Sequence, residues 1–173
     1  LTHGAEAVKH AVASGIDCIE HGFLIDDEAI AMLVEHGTFL VTTRRLAEAM
    51  DVSKAPPELQ AKAAEMFPKA RTSMKAAYEA GVKIAVGTDA PAIPHGKNAD
   101  ELVTLVEWGM PPIAVLRAAT TVAADLINVT DRGRLAEGQL ADVIAVPGDP
   151  LTDITVTQNV SFVMKGGKVY AKK

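Results

Sequence analysis

The chain has one cysteine, Cys18, among its 173 residues, so it can form no internal disulfide and no thiolate metal cluster. Cys18 lies in an apolar run and reads as core packing rather than as a reactive thiol. No stretch is long and apolar enough to span a bilayer, and no membrane partner is expected. Positive charge is also short: 17 Lys and Arg stand against 22 Asp and Glu, a formal net charge of −5. That balance argues against nucleic acid, which usually needs a basic face. Gly166-Gly167 falls in a hairpin turn, not between a strand and a helix, so it is no dinucleotide loop. A nucleophilic Ser–His–Asp arrangement is absent as well. The chain starts at Leu1 without a methionine. A cytoplasmic location is expected, and a secretory signal ahead of Leu1 is left open.

What is present is a chain long enough for one core, with burial approaching about 70% of the unfolded surface. A helix is expected over 5–13, with Ala7, Val8, Ala11 and Val12 on one face and Gly15 closing it. A strand follows to about residue 19. Asp26 is placed to cap a helix over 27–35, and Gly37 ends it before a strand at 39–41. Residues 43–57 read as a loop with some helix. An alanine-rich helix over 58–79 holds Pro68, a place for a bend. A strand at 82–86, a Pro-rich loop at 90–96 and helices near 98–107, 112–119 and 122–127 complete this part. From about Asn128 the texture changes to glycine and proline turns between short β runs. Strands alternating with helices predict a parallel α/β sheet with right-handed crossovers. Three such strands cannot close an eight-stranded barrel, which takes about 250 residues. The array is a small open sheet or a piece of a larger one.

Two phrases carry the chemistry, Ile19-Glu20-His21-Gly22 and Gly87-Thr88-Asp89-Ala90, each set where an apolar strand has just ended. An imidazole and a carboxylate at the carboxyl ends of parallel strands are what a barrel hydrolase needs at its catalytic face. Both donor types suit zinc and similar ions. The plainer alternatives are a core histidine and a loop acid. Yet an acid directly after Ile84-Ala85-Val86 must be paired or metal-bound if it faces inward. Glu20 reads as structural. His95 lies in the Pro-rich loop, where a substrate contact and a plain loop histidine are both open. Arg44 and Arg45 follow the strand that ends at Thr42-Thr43. Either could grip a substrate carboxylate bidentately, or the pair could be a solvated face. Trp108 and Met110 are expected in the core, and His10 and His36 are given no role.

Taken in order, these phrases resemble the amidohydrolase superfamily, in particular its imidazolonepropionase-like and Xaa-Pro-dipeptidase-like (prolidase-type) branch. The resemblance rests on Thr2-His3-Gly4-Ala5-Glu6, Ile19-Glu20-His21-Gly22, Ala85-Val86-Gly87-Thr88-Asp89-Ala90 and Pro94-His95-Gly96-Lys97-Asn98-Ala99. In the tail it adds Asp131-Arg132-Gly133, Glu137-Gly138-Gln139-Leu140-Ala141-Asp142, Gly148-Asp149-Pro150-Leu151 and Met164-Lys165-Gly166-Gly167-Lys168-Val169. It implies the C-terminal part of a metal-dependent (β/α)8 TIM barrel over 1–128. Residues 129–173 would then be closing strands of a small composite β-sandwich domain.

The implied activity is hydrolysis of an amide or other non-ester C–N bond by a metal-activated water. Small peptidic, cyclic amide or ureido-like molecules are the implied substrates. One or two divalent ions are implied, zinc foremost. His21 matches the family's sixth-strand metal ligand, and Asp89 its eighth-strand ligand and proton acceptor. The first-strand histidine pair and the fourth-strand bridging carboxylate would lie upstream. The place of the fifth-strand histidine falls on Leu1, which leaves His3 as a neighbour of the site. His3, His95 and Arg44 are the candidates for substrate or neighbouring roles. The expected partner is a missing N-terminal half or a second copy. The alternative is a non-catalytic fragment, a self-associating half-barrel without a complete metal site.

Overall fold

The computed structural model describes residues 2–49 and 52–172. Four short parallel strands lie side by side in chain order: β1 (Thr2–Gly4), β2 (Cys18–Leu24), β3 (Phe39–Thr42) and β4 (Lys83–Val86). Helix α1 (Ala5–Ala13) joins the first two strands and α2 (Asp27–His36) the next two. Between β3 and β4 come α3 (Arg44–Ala49) and the long α4 (Pro57–Glu79), which runs on through Pro68. After β4 the chain forms α5 (Asp100–Glu107), α6 (Pro112–Ala118) and α7 (Thr121–Leu126).

The sheet departs from the sequence expectation at two points. It has a fourth parallel strand, because Thr2–Gly4 pairs with β2; three residues are too few to show an alternating pattern. The strand expected to stop near Ile19 also runs on to Leu24, so His21 lies within it. The reason is a change of neighbour. Cys18, Ile19 and Glu20 align with Phe39, Leu40 and Val41 of β3, whereas His21 and Leu24 align with Thr2 and Gly4 of β1. At the handover His21 and Gly22 take positive φ, 71° and 54°. Read locally, such a glycine marks an end; here it marks a bend.

Helix ends are set by local chemistry. Asp26 accepts the Ala29 N–H at 2.8 Å and starts α2, and Gly37, at φ 65°, closes it. Lys9 of α1 reaches Glu6, Asp26 and Glu28 at 2.6, 3.2 and 2.7 Å, tying the two helices together. The Ala29 N–H foremost, and then Lys9, hold the Asp26 carboxyl below the usual carboxylate range. A group whose folded value is depressed contributes stability above its unfolded value and loses it as pH falls through the folded one. Asp26→Ala should therefore cost about 1 kcal/mol at pH 7. Urea midpoints of the two proteins should converge once the pH is low enough to protonate the folded carboxylate.

The apolar faces meet in one core. Val8 and Val12 of α1, Ala29 and Leu33 of α2, and Ala70, Met74 and Ala77 of α4 pack with Ile19, Leu40 and Ile84 of the strands. Trp108 and Met110 join them, as expected of core residues. The tail is a separate antiparallel sheet in the order β5 (Val143–Ala145), β6 (Phe162–Lys165), β7 (Lys168–Lys172). Gly166 and Gly167, at φ 55° and 77°, make the hairpin turn, since a type I′ turn needs positive φ at both central residues. A 3-10 turn (Ile154–Gln158) fastens the tail to the helical part, where the Gln158 amide donates to Asp100 at 2.8 Å. Among the described residues no helix is long and apolar enough to cross a membrane.

Candidate active site

His21 and Asp89 share an uncommon backbone state. Their φ angles are 71° and 56°, and among the described residues only Asn128 is another non-glycine with positive φ. The left-handed region is tolerated by Asn, Asp and His more readily than by other side chains. Such backbone collects where a function requires it. The glycines of the two phrases have a related cause. A Cβ on Gly22 would stand 2.7 Å from Leu40 Cδ1, and one on Gly87 would stand 2.8 Å from the Thr42 carbonyl oxygen. Both phrases press against β3, and the Gly87 N–H donates to Thr42 at 2.9 Å.

His21 is buried, and its Nδ1 lies 2.7 Å from Thr43 Oγ1. With Nδ1 as the donor, Nε2 keeps its lone pair free, the arrangement usual for a ligating imidazole. The His3 ring stacks on His21 at 5.0 Å and on Phe23 at 5.2 Å. Partial burial, then the charges of His21 and Arg44, lower the His3 pKa below the usual imidazole value.

Thr43 is itself held from a distance. It directly precedes α3, whose first two N–H groups, on Arg44 and Arg45, donate to Glu101 Oε1 and Oε2 at 2.8 and 2.6 Å. Glu101, on α5, is 1% exposed. It caps α3 from outside and fixes the residue that orients His21. Burial pushes the Glu101 carboxyl up, and the two backbone N–H groups pull against it.

Of the two readings left open for Arg44, the solvated face fails. Its side chain is fully buried, donates to the Gly22 carbonyl at 3.3 Å, and lays its guanidinium 4.7 Å from the Phe23 ring centre. The cause is the start of α3 directly after β3, which turns Arg44 inward where Phe23, Trp108 and Glu101 surround it. Burial lowers its pKa to about 10, with Glu101 opposing. Arg45 is the partly exposed member of the pair, with Glu48 at 3.7 Å and Asp100 at 3.8 Å. Neither Glu101 nor Thr43 was singled out by sequence reasoning.

Asp89 is exposed beyond β4, and its carbonyl accepts the Ala92 N–H at 2.8 Å. Asn98 folds the following loop back, donating to Thr88 Oγ1 and accepting from the Gly96 N–H, both at 3.3 Å. His95 is an exposed residue of that loop. Among the described residues, no hydrogen bond, ion pair or ring contact joins Asp89 or His95 to His21. Donor chemistry here fits a divalent ion, since a free imidazole nitrogen and a carboxylate stand at the same end of the sheet. The number of donors does not complete a site: among the described residues no three of His, Cys, Asp or Glu gather to hold an ion. Leu1, on which the fifth-strand ligand position falls, lies outside the described residues.

The sequence model of the amidohydrolase family matches residues 1–170. The chain belongs to the amidohydrolase family. Ochratoxinase of Aspergillus niger is 36% identical over 97% of this amidohydrolase chain, which spans 36% of that enzyme. Its crystal structure superposes with a TM-score of 0.89 at 35% identity, covering 99% of this chain and 41% of that one. A Xaa-Pro dipeptidase crystallised with methionine in its active site gives a TM-score of 0.90 at 42% identity, over 98% of this chain and 43% of that one. The chain thus spans less than half the length of these relatives. Its mixed α/β fold matches the C-terminal part of amidohydrolase TIM-barrel proteins, as the sequence resemblance implied. Members of this family are hydrolases acting on C–N bonds, and the superfamily generally uses divalent metals.

Proposed function

We propose that this chain is the C-terminal part of a metal-dependent hydrolase that cleaves an amide or other non-ester C–N bond in a small peptidic, cyclic amide or ureido-like molecule. The observation that carries this reading is the left-handed backbone at both His21, where β2 passes from β3 to β1, and Asp89, just beyond the end of β4. In the same reading, residues 129–173 belong to a composite β-sandwich domain. A divalent ion, zinc foremost, would supply a water of lowered pKa and polarise the scissile carbonyl.

The residues of this chain have separable tasks. His21 Nε2 is a metal ligand, kept in one tautomer by the hydrogen bond between Nδ1 and Thr43. Asp89 is a second ligand, and its carboxylate accepts the proton of the attacking water and returns it to the leaving nitrogen. His3 lies beside the ligand rather than among the ligands, and His95 faces solvent where substrate approaches.

Metal content per chain tests the reading. The complete protein that contains this chain, grown with zinc and extensively dialysed, should retain one or two ions by plasma mass spectrometry. His21→Asn, whose new side chain tolerates positive φ, should retain fewer. Thr43→Val should bind metal about 10–100-fold more weakly. A complete wild-type protein free of metal would overturn this reading.

A further inference from the structure

The bend of β2 is held by two neighbouring side chains at the start of α3. Cys18 to Glu20 are in register with β3, His21 and Leu24 with β1, and Gly22 with neither. Gly22 is buried, so its carbonyl needs a donor. Arg44 Nη2 supplies one at 3.3 Å, while the preceding residue, Thr43, meets His21 Nδ1 at 2.7 Å. The next carbonyl, on Phe23, accepts from Ser73 Oγ of α4 at 2.9 Å. Arg44 has a second contact: its guanidinium lies 4.7 Å from the Phe23 ring centre, in a stack that continues through His3 to His21. Fully buried, and with Nε and Nη1 unpartnered among the described residues, this cation is costly to keep. An apolar side chain of similar length would fill the same space without that cost. Packing alone does not account for the arginine.

We propose that Arg44 is a positioning residue for His21. By holding the Gly22 carbonyl it fixes the left-handed turn at His21 and Gly22, and with it the direction in which the imidazole points. The proposal rests on the hydrolase reading for the ligand role of His21, and adds to it the group that aims that ligand. Glycine lets the chain turn here, but it also leaves the turn free to rotate. Thr43 holds the ring and Arg44 the backbone beside it, each reaching one residue of the pair. A guanidinium suits both of its contacts at once, since its edge donates in plane while its face lies on an aromatic ring. A compact ammonium could make either contact, not both.

The test is Arg44→Met in the complete protein that contains this chain. Methionine keeps the apolar stem and is a good helix former, and Glu101 keeps its two amide donors, so the melting temperature should change little. Zinc affinity should nonetheless fall about 10–100-fold, and the cobalt-substituted protein should show an altered d–d absorption spectrum. Arg44→Lys keeps the charge opposite Glu101 and covers the case in which Arg44→Met does not fold. Its loss of affinity should be smaller but measurable. Because Arg44→Met itself weakens metal binding, it is the reference for any double variant at Glu101. A metal-free readout separates this proposal from the hydrolase reading. With isotope-labelled histidine, the wild type should show a slowly exchanging His21 Nδ1 proton by NMR, and Arg44→Met should lose it. If the wild type binds no metal but the variant loses that proton, the hydrolase reading falls and the positioning role stands. Wild-type affinity with an unchanged cobalt spectrum and imidazole proton, in Arg44→Met or, where that does not fold, in Arg44→Lys, overturns the assignment. So does a wild type without the protected proton.

Discussion

Asp89→Asn should lower kcat about 10²–10⁴-fold, the usual contribution of a positioned proton acceptor, with little change in melting temperature. The expectation rests on the backbone as much as on the carboxylate. Asp89 sits at φ 56°, a conformation asparagine adopts with comparable ease. The substitution therefore keeps size and backbone preference and removes basicity and charge. Asp89→Ala is the informative contrast, since it adds a left-handed penalty of roughly 1–2 kcal/mol to the same chemical loss. If the two variants lose activity equally but only alanine lowers the melting temperature, the carboxylate acts in the chemistry and the φ angle is a separate constraint. An unchanged kcat in the asparagine variant would place the proton acceptor elsewhere.

What could be read in advance depended on how local the cause was. The Asp26 cap and the glycine at 37 act within a few residues, and both were visible as residue types at fixed offsets. The apolar stripes of α1 and α2 were visible for the same reason. His21 and Asp89 stood out because each follows an apolar run at a strand end. Their positive φ did not, because nothing in the residue pattern announces it; the close approach to β3 is made by the neighbouring glycines, Gly22 and Gly87. The extension of β2 was hidden by Gly22, which local reading takes as a terminator and which the sheet uses as a bend between two neighbours. Arg44 shows the limit most clearly. Two consecutive arginines after a strand look like a solvated face, and only a partner 57 residues later, Glu101, reveals that this is a buried helix start. Nothing in the spacing of Asp100-Glu101 announces that role.

Glu101→Leu should be among the most damaging single changes in this chain. Glu101 is the acceptor for two backbone N–H groups at 2.8 and 2.6 Å and the buried charge facing Arg44. Removing the acceptor leaves the two buried N–H groups unpaired, at a cost of about 1–3 kcal/mol, and takes away the opposite charge that favours the buried Arg44 guanidinium from a distance. In a chain of this size the two losses together correspond to a fall in melting temperature on the order of 10 °C. The double variant Glu101→Leu with Arg44→Met divides the cost. If the uncompensated guanidinium dominates, the second substitution should restore part of the loss, since apolar residues often replace a buried pair at no net cost. Restoration should stay incomplete, because the Arg44 and Arg45 amides still lack an acceptor, a residual of about 1–3 kcal/mol. Metal affinity supplies the readout that stability alone cannot. Glu101 reaches the site through α3 and Thr43, so the double variant should bind metal more weakly than wild type even at temperatures where both are folded. A double variant that regains stability and also holds metal normally would show that Thr43 keeps its place without Glu101. The link from α5 to His21 would then be one of packing only.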